Sequence, residues 1–477
     1  MVDYSKELTN WVEEEKLAVQ AIAVIHQLWV ERSVELLMFR KVLVNQSVIN
    51  ILKSHNYASQ IIKRRVTIKD SLPLLKTLGK MPLCPSRIDV GRLTQEWLEE
   101  TTEGKVETRE FLDRHLAGHL NNKKVEFEPR DVVLYGFGRI GRLLARILVE
   151  QSGGGNALRL RAVVCRGKLD VEKRANLLRR DSVHGPLKGQ IRVVKEDDTI
   201  VANGCAIRFI SADAPDQIDY TAYGIQKALV IDNTGAWRDR DGLNKHLEAK
   251  GVDKVLLTAP GKGDIPNIVY GVNHRAWSDD ERIFSAASCT TNGIVPPIKV
   301  INDNFSIEYV HVETVHSYTN DQNLLDNYHK RKRRGRSAAL NMVVTETGAA
   351  SAISKALPEL TGRVTGNAVR VPTPNVSLAI LNMTLASAVT REQVNEALRQ
   401  AALRGPLVAQ IDYTSDEDVV STDLIGNTHP AVVDSLATLV HGNHAVVYVW
   451  YDNEFGYSMQ VARLARIICG VERLRYY

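Results

Sequence analysis

Over residues 1–128 apolar side chains recur at helical intervals, and glycine occurs only at positions 79, 91, 104 and 118. Trp11, Ala18, Ile22, Ile25 and Trp29 fall at steps of three, four or seven, so they share one face of a helix. A second run, from Val34 through Leu37 and Val44 to Ile51, has the same spacing and predicts another helix. Ser86 before Arg87-Ile88-Asp89 and Thr108 before Arg109-Glu110-Phe111 read as starts of two shorter helices. The expectation is an all-helical N-terminal extension over 1–128, closing in a polar connector near Asn121, Asn122, Lys123 and Lys124. Its apolar faces require burial, within a helical hairpin, against the remaining chain or against a partner.

From residue 130 the period changes to short β-branched runs alternating with helical ones. Val132-Val133-Leu134-Tyr135 reads as a strand and Arg142 to Glu150 as a helix, with further strands at Leu158 to Cys165, 229–231 and 255–258. Such alternation predicts an α/β, doubly wound parallel sheet over 129–288. Beyond it the strand-like runs lengthen, at 309–315, 378–385 and 446–450, with helical signals between them. A mixed α+β domain over 289–458 follows, and a C-terminal helix over 459–477 is expected to return to the parallel sheet.

The first strand runs into Gly136-Phe137-Gly138-Arg139-Ile140-Gly141-Arg142. A strand, a GxGxxG turn and a helix together form a dinucleotide cradle of the Rossmann type: Gly136 permits the turn, Gly138 lets backbone approach a pyrophosphate, and Gly141 allows close helix packing. The helix N-terminus offers free N–H groups to phosphate. The second strand ends in Cys165-Arg166-Gly167-Lys168, with no carboxylate before Asp170 to bond the ribose hydroxyls. Arg166 and Lys168 would attract a 2′-phosphate, so the cofactor is NAD or NADP; the competing reading leaves Arg166 stacked on adenine or facing water.

Cys289 lies in Ser288-Cys289-Thr290-Thr291-Asn292, and His316 follows in Thr314-Val315-His316-Ser317-Tyr318-Thr319. The thiolate is the nucleophilic form of cysteine, and an imidazole or a helix N-terminus supports it. Cys165, Cys205 and Cys469 sit in apolar runs and read as small core residues. The scattered cysteines form no CxxC pair, which argues against a zinc site or a disulfide framework and for a reducing, cytoplasmic setting. The chain begins with polar and acidic residues, and no apolar run approaches a membrane span, so neither a leader nor a membrane is expected. A formal net charge of +5 over 477 residues suits anionic small substrates and does not by itself call for nucleic acid. Lys330-Arg331-Lys332-Arg333-Arg334 is the one dense charge run; without interleaved aromatics it reads as a solvated loop, or as positive potential toward a neighbouring subunit's cofactor, before nucleic-acid binding.

Four further segments stand in order along the chain: Asp181-Ser182-Val183-His184-Gly185, Thr347-Gly348-Ala349-Ala350, Arg370-Val371-Pro372-Thr373-Pro374-Asn375-Val376-Ser377, and Trp450 through Ser458. With the cradle and the cysteine segment, the chain from residue 130 onward resembles the phosphorylating glyceraldehyde-3-phosphate dehydrogenases. The resemblance implies Cys289 as nucleophile and His316 as base, with Asn453 orienting the nicotinamide carboxamide. Thr234, Gly235 and Tyr457 would complete the cofactor site beside Gly136, Phe137, Gly138, Arg139, Ile140, Gly141 and Arg166. It implies Thr319, Asp321 and Arg370 as the pocket for the substrate's own phosphate, and Ser288, Thr290, Thr347 and Gly348 as the pocket for inorganic phosphate. No metal is implied, and a homotetramer is. The implied reaction is reversible oxidation of D-glyceraldehyde 3-phosphate to 1,3-bisphosphoglycerate, in glycolysis or gluconeogenesis. Erythrose 4-phosphate as substrate, or a non-catalytic scaffold, are the alternatives.

The chain departs from that family on the adenine side. Tyr135 stands where the family generally has Asn, Asp232-Asn233-Thr234-Gly235-Ala236-Trp237 replaces the usual Glu-Ser-Thr-Gly-Val-Phe, and the family's acidic ribose residue is missing. The family's Arg-Asp-Pro segment is not recognisable in Ser211-Ala212-Asp213-Ala214-Pro215.

Overall fold

The computed structural model describes residues 3–103, 106–121 and 127–477. The chain forms two compact units: one takes in the N-terminal segment to Pro129 with Gly153–Ala157 and Val471–Tyr477, the other Arg130–Ser152 and Leu158–Gly470.

The first unit is mainly helical. Its long helix Tyr4–Arg32 starts where the Asp3 carboxylate accepts from the N–H groups of Ser5 and Lys6, and stops where Ser33 turns left-handed. Its buried stripe is Ala18, Ala21, Ile25, Leu28 and Trp29; of the expected face, Ile22 is half-buried and Trp11 is 41% exposed. Helices Val48–Ile62, Ile68–Leu78, Val90–Glu103 and Thr108–His115 follow, the last starting where Thr108 predicts. The unit is not all-helical, however. The run from Val34 folds as strands Glu35–Met38 and Lys41–Val42, turned by Phe39 and Arg40 at positive φ, and Ser86 opens the strand Ser86–Asp89 rather than a helix. The fourth strand is Leu474–Tyr476, parallel to Ser86–Asp89, so the helix expected over 459–477 ends early, as Phe455–Ile468. Every residue of Glu35–Met38 is buried, and a short apolar run buried on both faces carries no period that separates strand from helix. Buried Glu35 in that strand is paired with Arg87 Nε at 2.6 Å, an ion pair that ties two of the strands together. Asn122, Lys123 and Lys124 of the expected connector lie outside the described residues.

The second unit carries two sheets. In the first, Arg130–Tyr135 lies between the parallel strands Leu158–Cys165 and Ala228–Asp232, with Val252–Leu257 and Ile283–Ser285 continuing on one side. Cys205–Ser211 continues the other side, and Thr199–Ala202 and Ile191–Val194 add an antiparallel edge. The helix Arg139–Glu150 leaves the glycine turn and packs through Ile147 on Met459 and Ala462 of Phe455–Ile468. The second sheet has seven strands, in the order Val343–Thr345, Val364–Val371, Ile307–Ser317, Ser377–Leu385, His444–Tyr451, Ala431–His441 and Ile411–Thr414. Helices Cys289–Phe305 and Arg391–Leu403 cover it, through Ile294, Ile298, Ile301, Val394 and Leu398 in one apolar core. None of the helices among the described residues is long and apolar enough to cross a membrane.

Candidate active site

Ser288 caps the helix Cys289–Phe305, its Oγ accepting from the Thr291 N–H at 3.0 Å, which places Cys289 in the first turn. There the helix dipole and free N–H groups favour a negative sulfur. The residue ahead of the cap is held under strain: Ala287 has φ of +55°, and its carbonyl accepts from Tyr457 Oη at 2.9 Å. The Asn292 amide ties the same turn from the other side, donating to the carbonyls of Ala286 and Ser288 at 2.8 and 2.9 Å.

His316 stands near the end of Ile307–Ser317, directly opposite Arg370 in the parallel neighbour. Its Nε2 is 3.7 Å from Cys289 Sγ, and its Nδ1 is 2.7 Å from the Ser317 carbonyl oxygen. Arg370 Nη1, which only donates, lies 2.9 Å from the same Nδ1, so that nitrogen faces an acceptor and a donor at once; the tautomer protonated on Nδ1 satisfies the carbonyl and leaves the Nε2 lone pair facing the thiol. Arg370 Nη1 donates to the same carbonyl at 3.0 Å. Burial, then the Arg370 charge, pull His316 down to about 3. Burial pushes the Cys289 thiol up, while Arg370 and the Thr290 backbone N–H work against that rise. Both directions favour the uncharged forms of the pair at rest, with the proton moving when sulfur bonds to its target.

Arg370 has no carboxylate within ion-pair distance among the described residues, and its Nε is buried without a partner. A cation so placed is built for an anion brought by a ligand. It lines a cavity of 650 Å³ together with Ser288, Cys289, His316, Thr319 and Asp321, and also Arg139, Ile140, Thr234, Gly235, Asn453 and Tyr457. A second cavity of 270 Å³ shares Thr234 and is lined by Gly136, Phe137, Gly138, Cys165, Arg166 and Arg174. The sequence-derived cofactor and substrate residues thus gather around two neighbouring hollows, with exceptions.

Gly141 faces no cavity: a Cβ there would lie 2.4 Å from the Gly136 carbonyl oxygen, so the glycine serves the close approach of helix to turn. Thr290 is buried with its hydroxyl 3.1 Å from Tyr451 Oη. Thr347 and Gly348 stand at the start of Ala349–Ala356, where Thr347 Oγ1 accepts from the Ala349 N–H at 3.3 Å. None of these three lines the cavity, whereas Ser288 does. The Asp321 carboxylate, at the cavity wall, is engaged by Arg334 and so ties down its loop. Arg334 is accordingly buried and also donates to Thr345 Oγ1, which corrects the fully solvated reading of the basic run; Lys330 to Arg333 remain exposed.

The glycine turn fits a dinucleotide. Gly136 has φ of +102°, and a Cβ on Gly138 would meet nothing within 4 Å, leaving its backbone approachable. Asn453 is buried, and its Oδ1 accepts from Ser377 Oγ at 3.0 Å, which fixes which end of the amide remains for a ligand. Arg139 braces the turn, its Nη1 donating to Asp181 Oδ2 at 2.6 Å and its Nε to Glu454 Oε1 at 2.8 Å. Sequence reasoning missed Ser377 and Arg174. Ser377 follows Val376, which has φ of +65°, a backbone state no local pattern announces for a β-branched residue. Arg174 is one of several basic residues on its helix, and only the packing of that helix brings it to the pocket.

Residues 130–240 match the NAD-binding domain of glyceraldehyde 3-phosphate dehydrogenase, and residues 288–453 match its C-terminal domain. A glyceraldehyde-3-phosphate dehydrogenase-like protein of Pseudomonas aeruginosa is 51% identical over 94% of this chain and 98% of its own length, so its likeness takes in the N-terminal segment. Glyceraldehyde-3-phosphate dehydrogenase 2 of Trichormus variabilis is 41% identical over 71% of this chain and 98% of its own length. The enzyme of that name from Bacillus subtilis is 42% identical over 70% and 95%. With an NAD-binding sheet, a cysteine–histidine pair beside it and these relatives, the chain belongs to the glyceraldehyde 3-phosphate dehydrogenase family of oxidoreductases.

Proposed function

We propose that the protein catalyses the phosphorylating oxidation of D-glyceraldehyde 3-phosphate, reversibly, to 1,3-bisphosphoglycerate. The observation that carries this reading is the Cys289 Sγ to His316 Nε2 approach of 3.7 Å beside an arginine that has no carboxylate partner. Cys289 Sγ bonds to the aldehyde carbon as His316 Nε2 takes the thiol proton, giving the alkoxide of a hemithioacetal beside a protonated His316. A bound nicotinamide cofactor supplies the hydride acceptor that turns this adduct into a thioester. An oxygen of inorganic phosphate then attacks the thioester carbonyl, and the Cys289 thiolate leaves as the acyl phosphate forms. Arg370 and Thr319 hold the substrate's phosphate, Ser288 contributes to the attacking phosphate's pocket, and Asn453 orients the carboxamide.

NADP is accepted as well as NAD in this reading. Arg166 and Arg174 line the smaller cavity with no carboxylate among the residues around it, so a 2′-phosphate meets two cations there. A cytoplasmic homotetramer is part of the proposal, supported by the exposed apolar side chains Leu324, Leu325, Tyr328 and Leu340 on one loop. Sedimentation at four times the chain's 53.2 kDa would bear that out, and a monomer would reject it.

The deciding experiment is initial-rate reduction of NAD and of NADP with glyceraldehyde 3-phosphate, with and without inorganic phosphate, for the wild type and Cys289→Ser. Phosphate-dependent turnover absent from the variant is expected. Turnover indifferent to phosphate would remove the phosphorylating assignment, and greater turnover with erythrose 4-phosphate would change the substrate.

A further inference from the structure

The residues that differ from the family on the adenine side are not scattered. Tyr135, Asp232 and Trp237 all meet at His246, and Arg166 lies over the Trp237 indole. Asp232 is buried at the end of its strand, in register with Tyr135. One of its carboxylate oxygens accepts from both the backbone N–H and the hydroxyl of Thr234 at 2.7 Å, which sets the turn shared by the two cavities. The other stands 3.0 Å from Nε2 of buried His246. The Tyr135 ring meets the His246 ring edge-on, with centroids 4.7 Å apart, and Trp237 meets both rings edge-on at 5.9 Å. Gly242 lets the next helix run close to the indole, since a Cβ there would fall 2.8 Å from Trp237 Cδ1.

The Arg166 guanidinium carbon lies over the indole, 5.5 Å from the ring centroid. Arg166 is otherwise exposed and has no ion pair among the described residues, so the indole face is what limits its many rotamers. A flexible arginine on a glycine-flanked loop presents its charge as a diffuse cloud. One laid on a clamped indole presents it at one place, beside the cavity that Gly136, Gly138, Thr234 and Arg174 also line.

We infer that Trp237 is a positioning residue for cofactor selection: its clamped indole holds Arg166 ready for the adenosine 2′-phosphate and so favours NADP over NAD. The inference rests on the proposed use of NADP. It adds a residue that touches no 2′-phosphate itself and acts through Arg166.

The test is calorimetric titration of NADP, NAD and adenosine 2′,5′-bisphosphate into the wild type, Trp237→Ala, Trp237→Phe and Arg166→Ala. The expected result is a roughly 5- to 20-fold weaker Kd of Trp237→Ala for the two 2′-phosphorylated ligands, from loss of the cation–π contact and of preorganisation, with NAD changed less than about twofold. Trp237→Phe keeps a π face and should recover most of the loss. If Trp237→Ala does not fold by circular dichroism, Trp237→Leu replaces it, keeping apolar volume without a π face. Equal weakening of NAD and NADP would mean that Trp237 merely supports the fold, and would overturn the inference. Loss of NADP affinity in Arg166→Ala but not in Trp237→Ala would overturn it too, while leaving the use of NADP standing. An unchanged NADP affinity in Arg166→Ala would remove Arg166 from 2′-phosphate recognition and overturn the inference, whereas a wild type that does not bind NADP would remove the use of NADP itself.

Discussion

Arg370→Ala separates substrate recognition from thiol chemistry. Arg370 Nη1 is taken up by the Ser317 carbonyl and by His316 Nδ1 at 2.9 Å, while Nε is buried without a partner and Nη2 makes no hydrogen bond among the described residues. Two donor positions therefore remain for a phosphate dianion. A hydrogen bond to a charged group is worth roughly 1.5 to 3 kcal/mol, and two on one guanidinium are not additive, so about 3 kcal/mol is a reasonable sum. At about 1.4 kcal/mol per decade, that is roughly a 150-fold loss in kcat/KM for glyceraldehyde 3-phosphate. The assay compares this substrate with glyceraldehyde, which lacks the phosphate but offers the same carbonyl to Cys289. The phosphorylated substrate should lose that factor, and glyceraldehyde only the part due to a higher thiol pKa, since Arg370 opposes the rise at Cys289. Arg370→Lys should recover part of the phosphate binding as a point charge without the guanidinium fork. Equal losses for the two aldehydes would refute the clamp and leave Arg370 as a brace for His316.

His316→Asn removes the base at 3.7 Å from the thiol, and kcat should fall roughly 10²- to 10⁴-fold; a change below threefold would mean another group takes the proton. His316 also fixes a pH dependence of stability. Its folded value is held at about 3 against 6.5 ordinarily, so below pH 6.5 the unfolded chain takes up a proton that the folded site refuses. The stability from this group falls as pH drops from 6.5 toward 3. The Tm of His316→Asn should therefore decline less steeply than that of the wild type over that window, and parallel declines would count against the assignment. Gly141→Ala puts a methyl 2.4 Å from the Gly136 carbonyl oxygen, where only backbone can give way. A loss of about 1–3 kcal/mol by denaturant titration and weaker binding of NAD and NADP alike should follow; an unaltered variant would show that the turn can relax.

The catalytic centre was legible in the sequence because its chemistry is local in the chain. Ser288 and Thr291 are what a helix needs to start at Cys289, and a β-branched run up to His316 is what a strand needs. The glycine cradle was readable for the same reason. Residues whose function depends on packing were less so. Thr347 and Gly348 follow a family motif yet stand outside the cavity lining, and the pairing of Asp321 with Arg334 at the cavity wall joins residues 13 apart in a loop. Arg174 and Ser377 reach their places through packing and through the left-handed Val376, neither visible as a period. In the N-terminal unit, a helical spacing from Val34 to Ile51 competed with a short, doubly buried strand, and tertiary burial decided. The strand Leu474–Tyr476 was hidden for a different reason, since its partners lie almost the whole chain away.

That separation has a temporal meaning. Arg87 donates to Tyr477 Oη across 390 positions, and the strand at 474–476 lies beside Ser86–Asp89 at one edge of its sheet. At a ribosomal rate of about 5–20 residues per second, roughly 20 to 80 seconds pass between the emergence of the two strands. For that interval the nascent N-terminal unit exposes an unpaired strand edge, the kind of template that recruits foreign strands. The second unit is made while the first still waits for its final strand, and the first then closes around the most distant segment of its own chain.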